Sequence, residues 1–464
     1  MLRAGEMAWQ CLQNHWPECQ AISIYCGSGN NGGDGYVLAR LARENGKKVC
    51  VYYLKEPGTE LATEMLARIQ QMDIPCRSFR ASEKPDCDLV VDAVFGSGLA
   101  RPVSGEWADM IKTMNDTARP VLALDIPSGL SADTGAVMGC AVDADATIGF
   151  ISINPGCLTG RGKQLTGQLV FSDLQVPDDL YDRIGAFAER LVVSDLRGLI
   201  HPRPLDSHKG DFGRLLLVGG DRGFAGAIQM AAMAACRAGA GLVTVATREG
   251  HAAVISAQVP ELMISGCESS AALYPHLHAA EVVLIGPGIG QGRWARDLFS
   301  SVADSPCSLV IDADGLRLLA QNSDCNDKRV LTPHPGEAAT LLSCSTAEIQ
   351  QDRLTAAASI ARLYGGVCVL KGAGTVIADA NGLPAICDRG NPGMSVAGMG
   401  DVLAGIIAAL MAQGLSPLQA SRIAVWTHAS AADLLVSTRG EIGLMATDLL
   451  LPVRKEINQL LSGT

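Results

Sequence analysis

A chain of 464 residues, 48% hydrophobic and with 51 glycines, is long enough for two or three domains with large cores and many tight turns. A net charge of −11 and an aromatic content of 4% argue against a nucleic-acid partner, which needs a basic footprint and stacking platforms. Fifteen cysteines, an odd number without a C-x-x-C pair, support neither a disulfide framework nor a zinc ribbon; reduced thiols in a cytoplasmic protein are expected. No signal peptide shows in MLRAGEMAWQ, and the longest apolar run, 402–412, is too short to span a bilayer, so no membrane partner is expected.

Residues 1–12 read as a helix that opens without a cap or a preceding turn, which suggests missing N-terminal residues. A buried-strand pattern, AISIYC at 21–26, runs into GSGNNGGDG at 27–35 and then a helix over 36–44. Strand, glycine loop and helix is the geometry of a phosphate- or nucleotide-binding turn, although Asn30, Asn31 and Asp34 depart from the standard dinucleotide fingerprint. An Asx-rich turn is the competing reading. Further strands are expected at 49–54, 88–95, 121–125 and 147–151, with helical patterns between most of them. This alternation predicts a parallel sheet with helices on both faces and a ligand beyond the strand C-termini. Three polar groups fall at those ends: Asn31 with Asp34, Asp92, and Asp125 with Ser128. Asn31, Asp92 and Ser128 offer oxygen donors suited to a hard cation.

The stretch 173–204 is a seam, with a charged helical segment at 178–190 followed by the Pro-rich HPRPLDSHKGD. The expected domains are 1–178, a linker 179–205, and 206–464. The second half restarts with strands at 214–218, 242–246, 282–285, 309–312, 330–331 and 367–370, and a helix at 228–238. Turns rich in Gly, Pro and acids follow: GPGIG at 286–290, Asp312-Ala-Asp314, TPHPGE at 332–337 and KGAGT at 371–375. His334 lies between two prolines at a strand end. GNPGMSVAGMGD at 390–401 then feeds an apolar helix, so bare N–H groups and a helix N-terminus could face an anion, with Asp401 in the first turn. Alone, that pattern equally describes a tight turn with a capping Asp. Together with Lys371 and its glycine loop it reads as a two-loop cradle for a nucleotide diphosphate. Asp401 could there take a proton from an attacking hydroxyl.

The G-x-G-D turn with KGAGT upstream resembles the ribokinase-like fold. The ordered set SHKGDFGRLLLVGG, AGA, GPGIG, TPHPGE, LKGAGT and GNPGMSVAGMGDVLAG resembles the ADP-dependent NAD(P)H-hydrate dehydratases. GSGNNGGDG, VDAVFGSGL and DIPSG in the first half resemble the NAD(P)H-hydrate epimerases. In this order they are similar to the bifunctional NAD(P)H-hydrate repair family over almost the whole chain. The implied fold is α/β: an N-terminal Rossmann-like three-layer domain followed by a C-terminal ribokinase-like α/β domain.

The resemblance implies that the R and S hydrates of NADH and NADPH (NADHX and NADPHX) are interconverted. The S form is then dehydrated with ADP as co-substrate, releasing AMP and phosphate, with K+ and Mg2+ as cations. It places Asp401 as the group that activates the substrate hydroxyl. Lys371, Gly372, Ala373, Gly374, Thr375 and Gly400 hold ADP, and Ala227, Gly288 and His334 face the hydrate. In the first half Asn30, Asn31, Gly32, Gly33, Asp34, Gly96, Ser97, Gly98, Leu99, Ala100, Arg101, Pro102 and Asp125 line the epimerase pocket. Asn31, Asp92 and Ser128 bind potassium, and Asp125 is the acid–base candidate. A homo-oligomer is expected. The family carries a longer segment before the opening helix, and a Lys where this chain has Asn154; both departures fall in the epimerase half. A ribokinase-like small-molecule kinase and a non-catalytic nucleotide-binding protein are the alternatives, the first opposed by TPHPGE and SHKGDFG.

Overall fold

A computed structural model describes residues 1–81, 85–321 and 323–461, which fall into two units, Met1–Ala186 and Phe187–Thr464. In the first unit β1 (Ala21–Cys26), β2 (Lys48–Tyr53), β3 (Cys76–Ser78), β4 (Leu89–Ala93), β5 (Val121–Leu124), β6 (Ala146–Phe150) and β7 (Gln168–Ser172) form one sheet in the order β3-β2-β1-β4-β5-β6-β7. Every pairing in it is parallel. Such strands are covered on both faces and read as continuous apolar runs. Ile22, Ile24 and Cys26 pack in one core with helices Leu2–His15, Asn30–Glu44 and Glu60–Gln70, while Tyr25, Val90 and Ala123 pack in another with helix Glu106–Asn115. The result is the expected three-layer domain. The strand order reverses between β1 and β4, so the C-terminal ends of those two strands flank the crevice of an open parallel sheet.

Three expectations need correction. The glycine stretch 27–35 is a loop only over 27–29: the helix expected at 36–44 begins at Asn30. Its glycines serve close approach, because a Cβ on Gly32 would lie 2.0 Å from the Gly27 carbonyl oxygen and one on Gly35 would lie 2.7 Å from the Ala93 side chain. The segment 178–190 is a helix only over Asp178–Ile184, since Gly185 (φ 75°) ends it. Within 179–205, Glu189–Arg190 form a strand and Leu191 and Leu196 are fully buried in the second unit's core.

In the second unit β8 (Glu189–Arg190), β9 (Arg214–Val218), β10 (Leu242–Thr247), β11 (Met263–Gly266), β12 (Val282–Ile285), β13 (Ser308–Ile311), β14 (Arg329–Leu331), β15 (Val367–Leu370), β16 (Thr375–Asp379) and β17 (Ala385–Cys387) form a ten-stranded sheet. Its order is β11-β10-β9-β12-β13-β14-β15-β16-β17-β8. The strands from β11 to β15 run parallel and place their C-terminal ends along one edge, whereas β16 runs antiparallel to both its neighbours, β15 and β17. Thr375, expected in a glycine loop, opens β16.

Helix Met399–Ala412 runs through the middle of the core, and every residue of 402–412 is buried. It is apolar all round because it has no solvent face. It packs against helix Ala225–Arg237 so closely that a Cβ on Gly405 would lie 2.1 Å from the carbonyl oxygen of Ala231. Helix propensity favours Ala over Gly by about 1 kcal/mol. Overpacking costs about 1–3 kcal/mol, and contact with rigid backbone puts this site at the upper end. Gly405→Ala is therefore expected to destabilise this unit by about 1–2 kcal/mol, seen as a lower urea midpoint for its transition; an equal or higher midpoint would contradict this packing. Among the described residues no helix is long and apolar enough to cross a membrane.

Candidate functional site

In the second unit four ionisable side chains meet at the strand-end edge. Lys371 leaves the end of β15 and its Nζ lies 2.8 Å from Oδ1 of Asp312, which follows β13. Glu337, in the first turn of helix Pro335–Leu342, lies 3.8 Å from the same Nζ. Asp401 stands in the first turn of helix Met399–Ala412, and Gly398 at the N-cap takes φ 93°. Between them is Gly400: a Cβ there would lie 3.1 Å from Lys371 Nζ and 3.8 Å from Asp312 Oδ2. The glycine thus leaves bare backbone facing an ammonium, at the positive end of a helix dipole.

Burial and charge set the protonation states. Burial pushes Asp401 up to about 7; Asp312 adds to the rise, Lys371 opposes it and Glu337 adds again. Burial works against the Lys371 charge, but Asp312, Glu337 and Asp401 outweigh it and hold this lysine above its ordinary value. Glu337 is raised by burial, against the pull of Lys371. A carboxylate poised near neutrality beside a fixed cation can accept a proton and give it up again.

The neighbouring loops complete this edge. Gly220 and Asp221 donate their N–H groups to the carbonyls of Pro287 and Gly288, tying the turn after β9 to the turn after β12. A Cβ on Gly288 would lie 2.8 Å from the Phe224 Cβ and 3.3 Å from the Ala227 Cβ, so Gly288 and Ala227 are adjacent. His334 sits at the N-cap of helix Pro335–Leu342, where its Nδ1 accepts from the N–H groups of Gly336 (3.0 Å) and Glu337 (3.3 Å). Its Nδ1 is committed to capping; Nε2 lies 3.3 Å from Glu337 Oε1. Gly372, Ala373 and Gly374 form the turn from β15 to β16, with Gly372 at φ 143°. Sequence reasoning named neither Asp312 nor Glu337 as a site residue. The signal for Asp312 was the one used for Lys371, a charged residue directly after a buried strand. Glu337 reads as the partner in a capping box, a role it also fills by accepting the His334 N–H at 2.8 Å.

In the first unit the strand-end residues also gather. Asp92 is fully buried: Oδ1 accepts from Ser128 Oγ (2.6 Å) and Val94 N–H (3.1 Å), and Oδ2 accepts from Ser128 N–H (2.7 Å). Ser128 Oγ in turn accepts from the Phe95 N–H at 2.7 Å. Burial pushes Asp92 up to about 6, against these hydrogen bonds. Asp125 holds a left-handed φ of 66° and accepts the Ser97 N–H at 2.8 Å. A Cβ on Gly96 would meet Asp125 Oδ2 at 2.7 Å and Asn31 Cβ at 3.6 Å, so both side chains approach the open face of Gly96. Asn31 is buried, and neither its amide nitrogen nor its amide oxygen has a hydrogen-bond partner. Burial pushes Asp34 up to about 7, against the Met1 ammonium 3.8 Å away and with Asp125 adding to the rise. Asn30, Gly32 and Gly33 share the first turns of the same helix, and Ser97, Gly98, Leu99, Ala100, Arg101 and Pro102 form a partly to fully exposed loop beside it. Among the described residues no group of three or more His, Cys, Asp or Glu side chains is arranged to hold a metal ion.

The family model for NAD(P)H-hydrate dehydratase matches residues 215–454, and that for the YjeF-related protein N-terminus matches residues 1–156. A bifunctional NAD(P)H-hydrate repair enzyme of Escherichia coli is 44% identical over 462 residues, covering 99% of this chain and 89% of the relative. A ribokinase-like superfamily protein of Enterococcus faecalis, known from its crystal structure, is 32% identical with a TM-score of 0.55, covering 59% of this chain and 96% of that one. The ADP/ATP-dependent NAD(P)H-hydrate dehydratase of Bacillus subtilis, co-crystallised with ATP and Mg2+, is 26% identical with a TM-score of 0.54, covering 60% of this chain and all of the other. Both halves of the sequence thus point the same way, and the chain belongs to the family of bifunctional NAD(P)H-hydrate repair enzymes, its first unit a YjeF-related N-terminal domain and its second a ribokinase-like NAD(P)H-hydrate dehydratase domain.

Proposed function

We propose that the second unit dehydrates the S hydrates of NADH and NADPH using ADP, and that the first interconverts the R and S hydrates. The observation that carries the first assignment is Asp401, pushed up to about 7 at the head of a buried helix, next to bare Gly400 and the Asp312-held Lys371. Hydroxide is a poor leaving group, so the C6 hydroxyl must first be activated. Asp401 takes its proton as the oxygen attacks the β-phosphorus of ADP, and the bond to the bridging oxygen breaks to release AMP. The C6–O bond of the resulting ester then breaks, the ring nitrogen's lone pair compensating at C6. That cleavage expels phosphate and leaves an iminium, and transfer of the C5 proton to the departing phosphate restores the dihydropyridine. Lys371 is a point charge for the migrating phosphoryl group, and the N–H groups around Gly400 and Gly372–Gly374 hold the other oxygens. Mg2+ would enter on the phosphates, its ordinary mode of binding. Ala227, Gly288 and His334 would face the hydrate.

For the first unit, the unpartnered buried amide of Asn31 fits a monovalent cation, because its oxygen lacks any other donor. K+ held by Asn31, Asp92 and Ser128 would offset the burial of the Asp92 carboxylate and stiffen the turn beside Asp125, our candidate for moving the proton. Asn30–Asp34 and 96–102 would line that pocket.

The test of the whole assignment is to incubate the full chain with mixed R and S hydrates, with and without ADP, and follow recovery at the dihydronicotinamide absorbance. Full recovery of both forms with ADP is expected, and accumulation of a stable phosphorylated product would instead mark a small-molecule kinase. Asp401→Ala should lower dehydration by about 10²–10⁴-fold with ADP still bound; near-normal turnover would remove Asp401 from the chemistry. Dehydration by the wild type should fall as pH drops through about 7, where Asp401 takes up its proton. Stability runs the opposite way. Asp401 binds its proton more tightly folded than unfolded, so its stabilising contribution is complete below about pH 4 and lost as pH rises through about 7. Asp401→Asn should therefore match the wild type in urea near pH 4 and exceed it at pH 8 by on the order of a few kcal/mol. In the first unit, K+ should stimulate R-to-S conversion, and Asn31→Ala should raise the K+ needed by at least about tenfold. Equal conversion in K+ and in a large organic cation would exclude the potassium site.

A further inference from the structure

Arg353 opens helix Arg353–Tyr364, and its side chain is buried beneath the turn that joins β15 to β16. Its Nη2 donates toward the carbonyl oxygens of Leu370 (3.2 Å), Lys371 (3.3 Å) and Gly374 (3.5 Å), and its Nη1 donates to Gln350 Oε1 (2.8 Å). Gly372, between those carbonyls, takes φ 143°, and a Cβ on it would lie 3.0 Å from Nη2 and 3.1 Å from Nη1. The turn is therefore wrapped onto the guanidinium with no room for a side chain in between. In a planar trans peptide the C=O and the N–H point in opposite directions. Drawing the Lys371 carbonyl down onto Arg353 thus turns the Gly372 N–H away from it, to the other side of the turn.

We infer that Arg353 is the positioning residue of the nucleotide-binding turn, gathering its carbonyl oxygens from below so that backbone donors are presented to the diphosphate of ADP. The inference rests on the reading of Lys371–Thr375 as the ADP-holding segment. Burial lowers the guanidinium to about 10, which leaves it charged at neutral pH, so it also contributes a fixed positive charge under the phosphates. Arg suits this place better than Lys. Its planar fork reaches several carbonyls at once, whereas an ammonium on a shorter stem is a point donor.

The test compares Arg353→Lys and Arg353→Met in the full chain, by steady-state kinetics with S-hydrate and by calorimetric titration with ADP alone. Arg353→Lys should raise the KM and Kd for ADP by about tenfold or more while the KM for the hydrate stays within about twofold; Arg353→Met should raise the ADP constants further. General loosening of the fold would move both substrates together. A folded Arg353→Lys enzyme with unchanged ADP constants, or with both substrates weakened equally, overturns the inference. If Arg353→Met does not fold, the lysine variant still decides. Lys371→Ala is the control on the underlying reading. Weaker ADP binding in Lys371→Ala but not in Arg353→Lys refutes only the role of Arg353, and unchanged ADP binding in both refutes the nucleotide turn itself.

Discussion

The complete burial of residues 402–412, all but the first turn of helix Met399–Ala412, is the constraint on which the second unit depends. A helix with no solvent face must still satisfy the N–H groups of its first turn, so its beginning has to emerge where polar partners exist. In this sheet that place is the edge where the parallel strands end. Gly400 and Asp401 come out there beside Lys371 and Asp312, so packing and electrostatics meet in the same few residues. The cost of holding a carboxylate at the head of a buried helix appears as the raised Asp401. The cost of burying the ammonium is offset by Asp312 and Glu337.

The first unit repeats this logic with different chemistry. Helix Asn30–Glu44 starts directly beyond β1, and its glycines let it press onto the strand ends. Here the head of the helix carries a buried amide, Asn31, whose nitrogen and oxygen have no hydrogen-bond partner in the protein. Leaving such a group unpaired is costly. That makes Asn31 more informative about a missing partner than the hydrogen-bonded Asp92–Ser128 pair beside it.

Much of this was legible in the sequence because the strands are buried on both faces. Continuous runs such as AISIYC and VVLI are the signature of a covered parallel strand, and both were bounded correctly. What escaped notice was short or lay toward the sheet edges: β3, β7, β11, β16, β17 and the two-residue β8. Strands of two to five residues near an edge carry little periodicity and take their conformation from the neighbour they pair with. The glycines of 27–35 misled for another reason. They were read as a ligand-binding loop between strand and helix, whereas Gly32 and Gly35 lie within the helix and are there because a neighbouring backbone or side chain leaves no space for a Cβ. The site motifs were visible as residues at strand ends, but the Asp312–Lys371–Glu337 contact joins positions far apart in the chain and needed the fold to be seen.

The pairing of β8 with β17 has a consequence for how the second unit is made. Glu189–Arg190 covers the outer side of Ala385–Cys387, and the ion pairs Arg190–Asp388 and Arg422–Glu189 fasten it. An uncovered strand edge is a template for another chain. Residues that precede the rest of this sheet therefore act as its hem, and they wait through most of the unit's synthesis for the strand they seal. A fragment begun at 206 would keep Asp312, Glu337, Lys371 and Asp401 yet expose the ragged border of its sheet, whereas one begun at 187 would carry its own closure.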